Sequence, residues 1–179
     1  MPANKDSHLT GVERTFSPNE VIVSKTDTKG KITYANRTFY RLAGLTEKET
    51  INKPHNIIRH PEMPRCVFKL MWDVLDNKQE IFAYVNNRSA NGDNYWVFAH
   101  VTPSLDDAGN IIGYHSNRHV PDRDIINNHI IPLYKQLLEI EAANSSPKKG
   151  MEESYQKVID LLDSKGMSFN EFMFSLNKK

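Results

Sequence analysis

The chain is short of the features that define several large functional classes. It holds a single cysteine, Cys66, in 179 residues, which excludes an internal disulfide framework and fits a reducing, cytoplasmic compartment. No run approaches the roughly 18 apolar residues of a membrane span, so direct membrane insertion is not expected. The opening MPANKDSHLTG lacks the apolar stretch of a signal peptide. Neither charge dominates: 23 Lys and Arg face 22 Asp and Glu, a formal net charge of +1 and a poor electrostatic footprint for nucleic acid. No Ser-His-Asp or Cys-His arrangement is visible, so the chain reads as a non-enzyme. What is present suffices for one real core: 39% apolar and 9% aromatic residues. One main domain with a helical appendage follows from that length.

Residues 1–18 are polar and read as a flexible segment. Residues 21–27 and 31–36 form a hairpin across Lys29-Gly30. Asn36 and Gly44 bound a short helix, and Thr46 with Glu49 has the spacing of a capping box opening another. Apolar positions from Val67 to Leu75 recur at helical spacing, and Pro64 is suited to open that helix. Three strands follow at 81–88, 94–102 and 111–118, joined by the SANGD and DDAGN turns. Two strands, short helices and three strands make an α+β domain with a five-stranded antiparallel sheet, short helices on one face and helices at the C-terminal end.

The densest polar cluster is PHNIIRHPEMP, residues 54–64, placed at the mouth of the helix behind Pro64. Free N–H groups and the macrodipole there favour anionic groups, so a ligand pocket is expected between this loop and the hairpin after it. Side-chain alternation puts Ile81, Ala83, Val85 and Asn87 on one strand face and Phe82, Tyr84 and Asn86 on the other. Both faces carry large apolar groups, so something must cover the second: the N-terminal segment, the C-terminal helix or another subunit. Residues 122–143 are helical, with Ile126, Ile130, Leu133, Leu137 and Ile140 at coiled-coil spacing and a kink expected at Pro132. Packing on the chain's own sheet and a homodimer seam are both open. Residues 144–150 read as a linker and 151–179 as a helical pair too small to hold a core alone.

NRTFYRLAGLT, PHNIIRHPEMP, MWDVL, NNRSANGDNYWV, VTP and GYHSNR, with PLYK in the trailing helix, resemble the sensory PAS domain of bacterial aerotaxis receptors. The resemblance implies a PAS domain over 19–121, a signalling helix over 122–143, and non-covalent FAD reporting electron-transport redox state. The membrane anchor, HAMP module and signalling rod of a full receptor are not in this sequence. It is closer to the stand-alone PAS subunit of bipartite energy-taxis systems, whose partner is a separate membrane-bound methyl-accepting transducer.

The resemblance also nominates residues. Arg59 and His60 match the family's Arg-His pair needed for FAD, and a guanidinium fork suits a pyrophosphate. Glu62 stands where the family has Asp. Asn36, Phe68 and Asn87 match further cofactor-binding positions, Asn87 with an amide that pairs with an isoalloxazine edge. Asn36 serves equally as a helix N-cap, His60 as a structural histidine, and Trp72 as core. The family's cofactor-contacting tryptophan on the third strand is Ile81 here, which costs roughly 1 kcal/mol of stacking. A photoactive LOV-type site needs a cysteine within about 56–60, where the chain has NIIRH. Phe82, Tyr84 and Trp96 form the expected output surface. The competing functions are a cofactor-free PAS adaptor and a haem-binding PAS gas sensor using one of His55, His60, His100, His115 and His119.

Overall fold

The computed structural model describes residues 8–177. Ile22–Thr26 (β1) and Ile32–Ala35 (β2) form the first hairpin. The helices Arg37–Ala43 (α1) and Glu47–Thr50 (α2), a 3₁₀ turn at His55–Ile58, and Arg65–Asp76 (α3) come next. Three long strands follow: Ile81–Arg88 (β3), Asn94–Leu105 (β4) and Ile111–His119 (β5). They build one antiparallel sheet in the order β2-β1-β5-β4-β3, the α+β architecture expected from the sequence.

Local chemistry sets the ends of these elements. Asn36 caps α1 by accepting the Phe39 N–H, and Gly44 ends it at φ 65°, where a side chain would be strained. Thr46 and Glu49 complete the capping box of α2. Pro64 stands just before α3.

The N-terminal stretch is docked, contrary to the looseness its polarity implies. Residues 1–7 of that segment lie outside the described residues. Beyond them, Glu13 bridges to Asn94, Arg14 Nε donates to Asp93 at 2.9 Å, and Phe16 is buried among Ile22, Phe39 and Leu42. These links, with Thr10 donating to Asp93 and to Gly92 O of the SANGD turn, outweigh the segment's hydrophilic composition.

The C-terminal helices answer what covers the second sheet face. Arg123–Ile125 (α4) runs through a π-turn at Ile126–Ile130 into Ile131–Ala143 (α5). Pro132 lacks an N–H and crowds the preceding turn, and the widened turn just before it absorbs that misfit. Ile126, Ile130, Tyr134 and Leu137 are buried in this chain's own core, so the heptad pattern serves intramolecular packing. Pro147–Lys165 (α6) begins four residues earlier than the apolar pattern suggests, because Ser146 caps it and Pro147 opens it. It packs on α3 and α5; Phe169–Ser175 (α7) packs on β3. Tyr134 tilts against Trp96, and Phe174 lies edge-on to Phe82 and Phe98.

Neither outer strand is left bare. Along β3, Asn170 accepts the Phe82 N–H and donates to Glu80 O, Tyr134 Oη donates to Tyr84 O, and the Asn86 N–H meets Met63 Sδ. Along β2, Ile32 exchanges hydrogen bonds with Lys53 O and the Asn52 N–H.

Candidate functional site

A cavity of about 280 Å³ lies between the inner sheet face and the α3 side of the helical layer. Its apolar wall comes from Ile58, Met71, Leu75, Val85, Ala99 and Val101. Its polar wall comes from the central strands. Alternation along β5 points Tyr114, Ser116 and Arg118 inward, opposite Ser24 of β1.

Arg118 dominates the electrostatics. It is 4% exposed, and among the described residues no carboxylate pairs with it. Its Nη2 donates to Ser24 Oγ at 2.7 Å and to His55 Nε2 at 2.6 Å, while Nη1 is buried with no partner. A guanidinium only donates, so His55 Nε2 accepts and the ring proton sits on Nδ1. Burial pulls the arginine down to about 10. A buried cation facing neutral acceptors is costly unless an electron-rich group completes it.

Burial, reinforced by Arg118, also pushes His55 down to about 3. His55 therefore resists protonation in the folded chain but takes a proton readily once unfolded. Stability should be full above about pH 6.5 and fall as pH drops from there toward 3, by up to ~1.4 kcal/mol per pH unit. Urea unfolding of His55→Gln beside the parent checks this: the variant should lose much of the slope between pH 6 and 4. Parallel pH profiles would rule His55 out as its source.

The nominated residues divide between cavity and scaffold. Asn87 is 4% exposed and lines the cavity, and its Nδ2 is buried without a partner, as is Ser116 Oγ. A backbone bridge joins Asn87 to Arg59, holding the 54–64 loop against β3. Arg59 also lines the cavity; its Nη2 donates to Met63 O at 3.0 Å and its guanidinium lies 4.2 Å from the Phe68 ring centre. Burial lowers its pKa first, with the Arg65 charge adding to the effect. Phe68 is the third nominated residue at the cavity.

Asn36, His60 and Glu62 are not among the lining residues. The Asn36 amide is fully used: Oδ1 accepts from Val23 and Phe39, and Nδ2 donates to Val21 O. His60 is buried and accepts the Glu62 N–H through Nδ1, and burial lowers its pKa. Glu62 is exposed, 3.9 Å from that nitrogen. The anion expected at the mouth of α3 is internal: Glu141 of α5 accepts the Cys66 N–H at 3.1 Å. Cys66 is buried in the core outside the cavity lining, its thiol raised to about 11 by desolvation.

Two aromatic assignments change. Trp72 is 38% exposed and sits at the cavity rim against Tyr114, where a core position was expected. Ile81, by contrast, is 1% exposed, packed in the core, and does not line the cavity. Ile81→Trp should consequently overpack the core and cost roughly 1–3 kcal/mol in urea unfolding, with no gain in cofactor affinity. Tighter flavin binding by that variant would contradict this placement.

Phe82, Tyr84 and Trp96 do not form a bare output surface. Tyr84 and Trp96 are buried beneath α5 and α7, and Phe82 is half-buried against Phe174. Any relay from this face passes through the chain's own helices first.

A family model described as "PAS fold" matches residues 32–144. The chain is 37% identical over 131 residues to the aerotaxis receptor of Escherichia coli, covering 73% of this chain and 25% of that protein. It is 30% identical over 94 residues to the nitrogen fixation regulatory protein of Klebsiella pneumoniae, covering 52% and 19% respectively. The chain thus spans a quarter or less of these relatives. Among solved structures, the light state of the blue-light photoreceptor Aureochrome1 LOV matches with a TM-score of 0.56 at 18% identity, covering 62% of this chain and 89% of that one. A PAS domain from Colwellia psychrerythraea matches with a TM-score of 0.51 at 18% identity, covering 56% and 86%.

Proposed function

Because this chain belongs to the PAS fold family and is similar to the aerotaxis receptor, we propose that it senses redox state through a bound flavin, FAD, and signals by protein contact. One observation carries the reading: the cavity presents Asn87 and Arg118, both buried and both with an unpartnered nitrogen, against an apolar wall. A flat heteroaromatic ring with a carbonyl edge suits that pairing of surfaces. Flavin supplies reversible uptake of electrons and protons. Asn87 would hold the ring edge through its amide, and Arg118 would hold electron density that increases on reduction. Phe68 and Arg59 would close the outer end of the cavity.

The relay follows from β3. Asn87 faces the cavity, whereas Tyr84 on the same strand touches α5 through the 2.6 Å bond from Tyr134. A change in the Asn87 hydrogen bonds would shift β3 against its helical cover, a two-state element that both sides bias. The receiving partner would be the cytoplasmic part of a membrane-bound methyl-accepting taxis transducer on a separate chain.

The test is the visible spectrum of the purified protein before and after dithionite, with chromatography of the heat-released chromophore. A flavin spectrum that bleaches and a released FAD are expected. Colourless protein that takes up no added FAD would overturn the reading. Arg59→Ala should weaken retention of FAD and leave the fold intact.

A further inference from the structure

A second groove opens beside the first cavity, and nothing in the family match accounts for half of it. One wall is α3, with Arg65, Phe68 and Trp72; the other is the start of α6, Ser146 to Met151, which lies beyond the residues matched by the family model. Arg59, Phe68 and Trp72 line both spaces, so the groove is where a ligand too long for the inner cavity would continue.

The charged lining is entirely cationic: Arg59, Arg65, Lys69 and Lys148. Lys69 is firmly engaged with Asp73 at 2.8 Å, whereas Lys148 meets Glu152 only at 3.8 Å, the outer edge of ion-pair range, and in solvent. Arg59 and Arg65 have no carboxylate within ion-pair distance among the described residues, and the charge on Arg65 depresses the pKa of Arg59. Glu141 offsets part of this, but its Oε1 is spent on the Cys66 N–H and Ser154 Oγ. Two neighbouring, unneutralised guanidiniums beside an exposed indole make a place for a diphosphate followed by an aromatic base.

We infer that α6 completes a second compartment, which takes the diphosphate and adenine of a flavin dinucleotide whose ring occupies the inner cavity. The inference rests on the flavin reading above and adds a specificity to it. The appended helix makes the protein selective for the dinucleotide over riboflavin and the mononucleotide. Arg65 and Lys148 supply the charge, and Trp72 the stacking face.

The test is fluorescence titration of the full chain, freed of chromophore, with riboflavin, FMN and FAD. Arg65→Glu and Lys148→Glu are exposed positions, so each variant and the double variant should retain the parent's circular dichroism and melting. FAD should bind the parent at least tenfold more tightly than riboflavin. The double variant should lose that advantage while its riboflavin affinity stays within twofold. Inorganic pyrophosphate should compete with FAD and not with riboflavin. Equal affinity for all three flavins, or an equal loss for riboflavin and FAD in the variants, would overturn the compartment and leave the inner flavin site standing. Failure of the parent to bind any of the three would overturn both.

Discussion

Arg118→Met should leave a folded protein unable to retain flavin. The substitution keeps an unbranched apolar stem but removes the cation at the centre of the cavity. Charge-assisted hydrogen bonds contribute about 1.5–3 kcal/mol each, so losing the one from Nη1 weakens binding by roughly ten- to hundredfold. The fold is expected to tolerate the change, because a buried guanidinium without a carboxylate is a burden on the cofactor-free chain. His55 and Ser24 each lose one bond, which holds any gain in check. Equilibrium dialysis with FAD, beside a thermal melt of both cofactor-free proteins, measures the two halves separately. Arg118→Lys should not restore affinity, since an ammonium lacks the planar fork that reaches Ser24, His55 and the cavity together. An Arg118→Met protein that holds FAD as tightly as the parent would remove this residue from the site.

A chain ending at Met167 should be close to unfolding. The removed segment carries Phe169, Phe172 and Met173, all buried, and Phe174, which covers Phe82 and Phe98. Burying three such side chains contributes roughly 1.5–3 kcal/mol each as an upper range, against a total stability of about 5–15 kcal/mol for an ordinary domain. The melting temperature should fall by more than about 10 °C. The uncovered Phe82 and Phe98 should also draw copies together, visible as association in sedimentation velocity. A truncated chain that melts within about 2 °C of the parent and associates no more than the parent would show that α7 rests on the sheet without supporting it.

The strands and turns were legible because their signals are local: alternating apolar residues, Gly30 and Gly92 at turns, and Thr46 with Glu49 at a cap. The start of helix α6 is hard to see because its first turn, PKKG, is polar, and only the Ser146 cap and Pro147 mark it. The site was half legible. Arg59, Phe68 and Asn87 reach the cavity, while Asn36 and His60 have structural work that a motif cannot distinguish from ligand binding. Arg118 was missed because an arginine near a strand end reads as solvent-facing. The available signal was alternation, which puts Arg118 on the same face of a central strand as Tyr114 and Ser116. Glu141 at the mouth of α3 was not legible at all, since the two are joined only by tertiary packing over 75 residues of sequence.

The hydrogen bonds along β2 and β3 have a consequence for how this protein can assemble. A sheet grows by recruiting a strand to an open rim, and here the β3 rim is engaged at Phe82, Tyr84 and Asn86 and the β2 rim at Ile32. The Asn170 amide imitates a peptide group of a sixth strand, giving and taking one bond each without offering a further template. Strand-to-strand growth from β3 is therefore blocked while α7 stays in place. A partner protein would have the surfaces of helices α5, α6 and α7 to engage without opening the sheet.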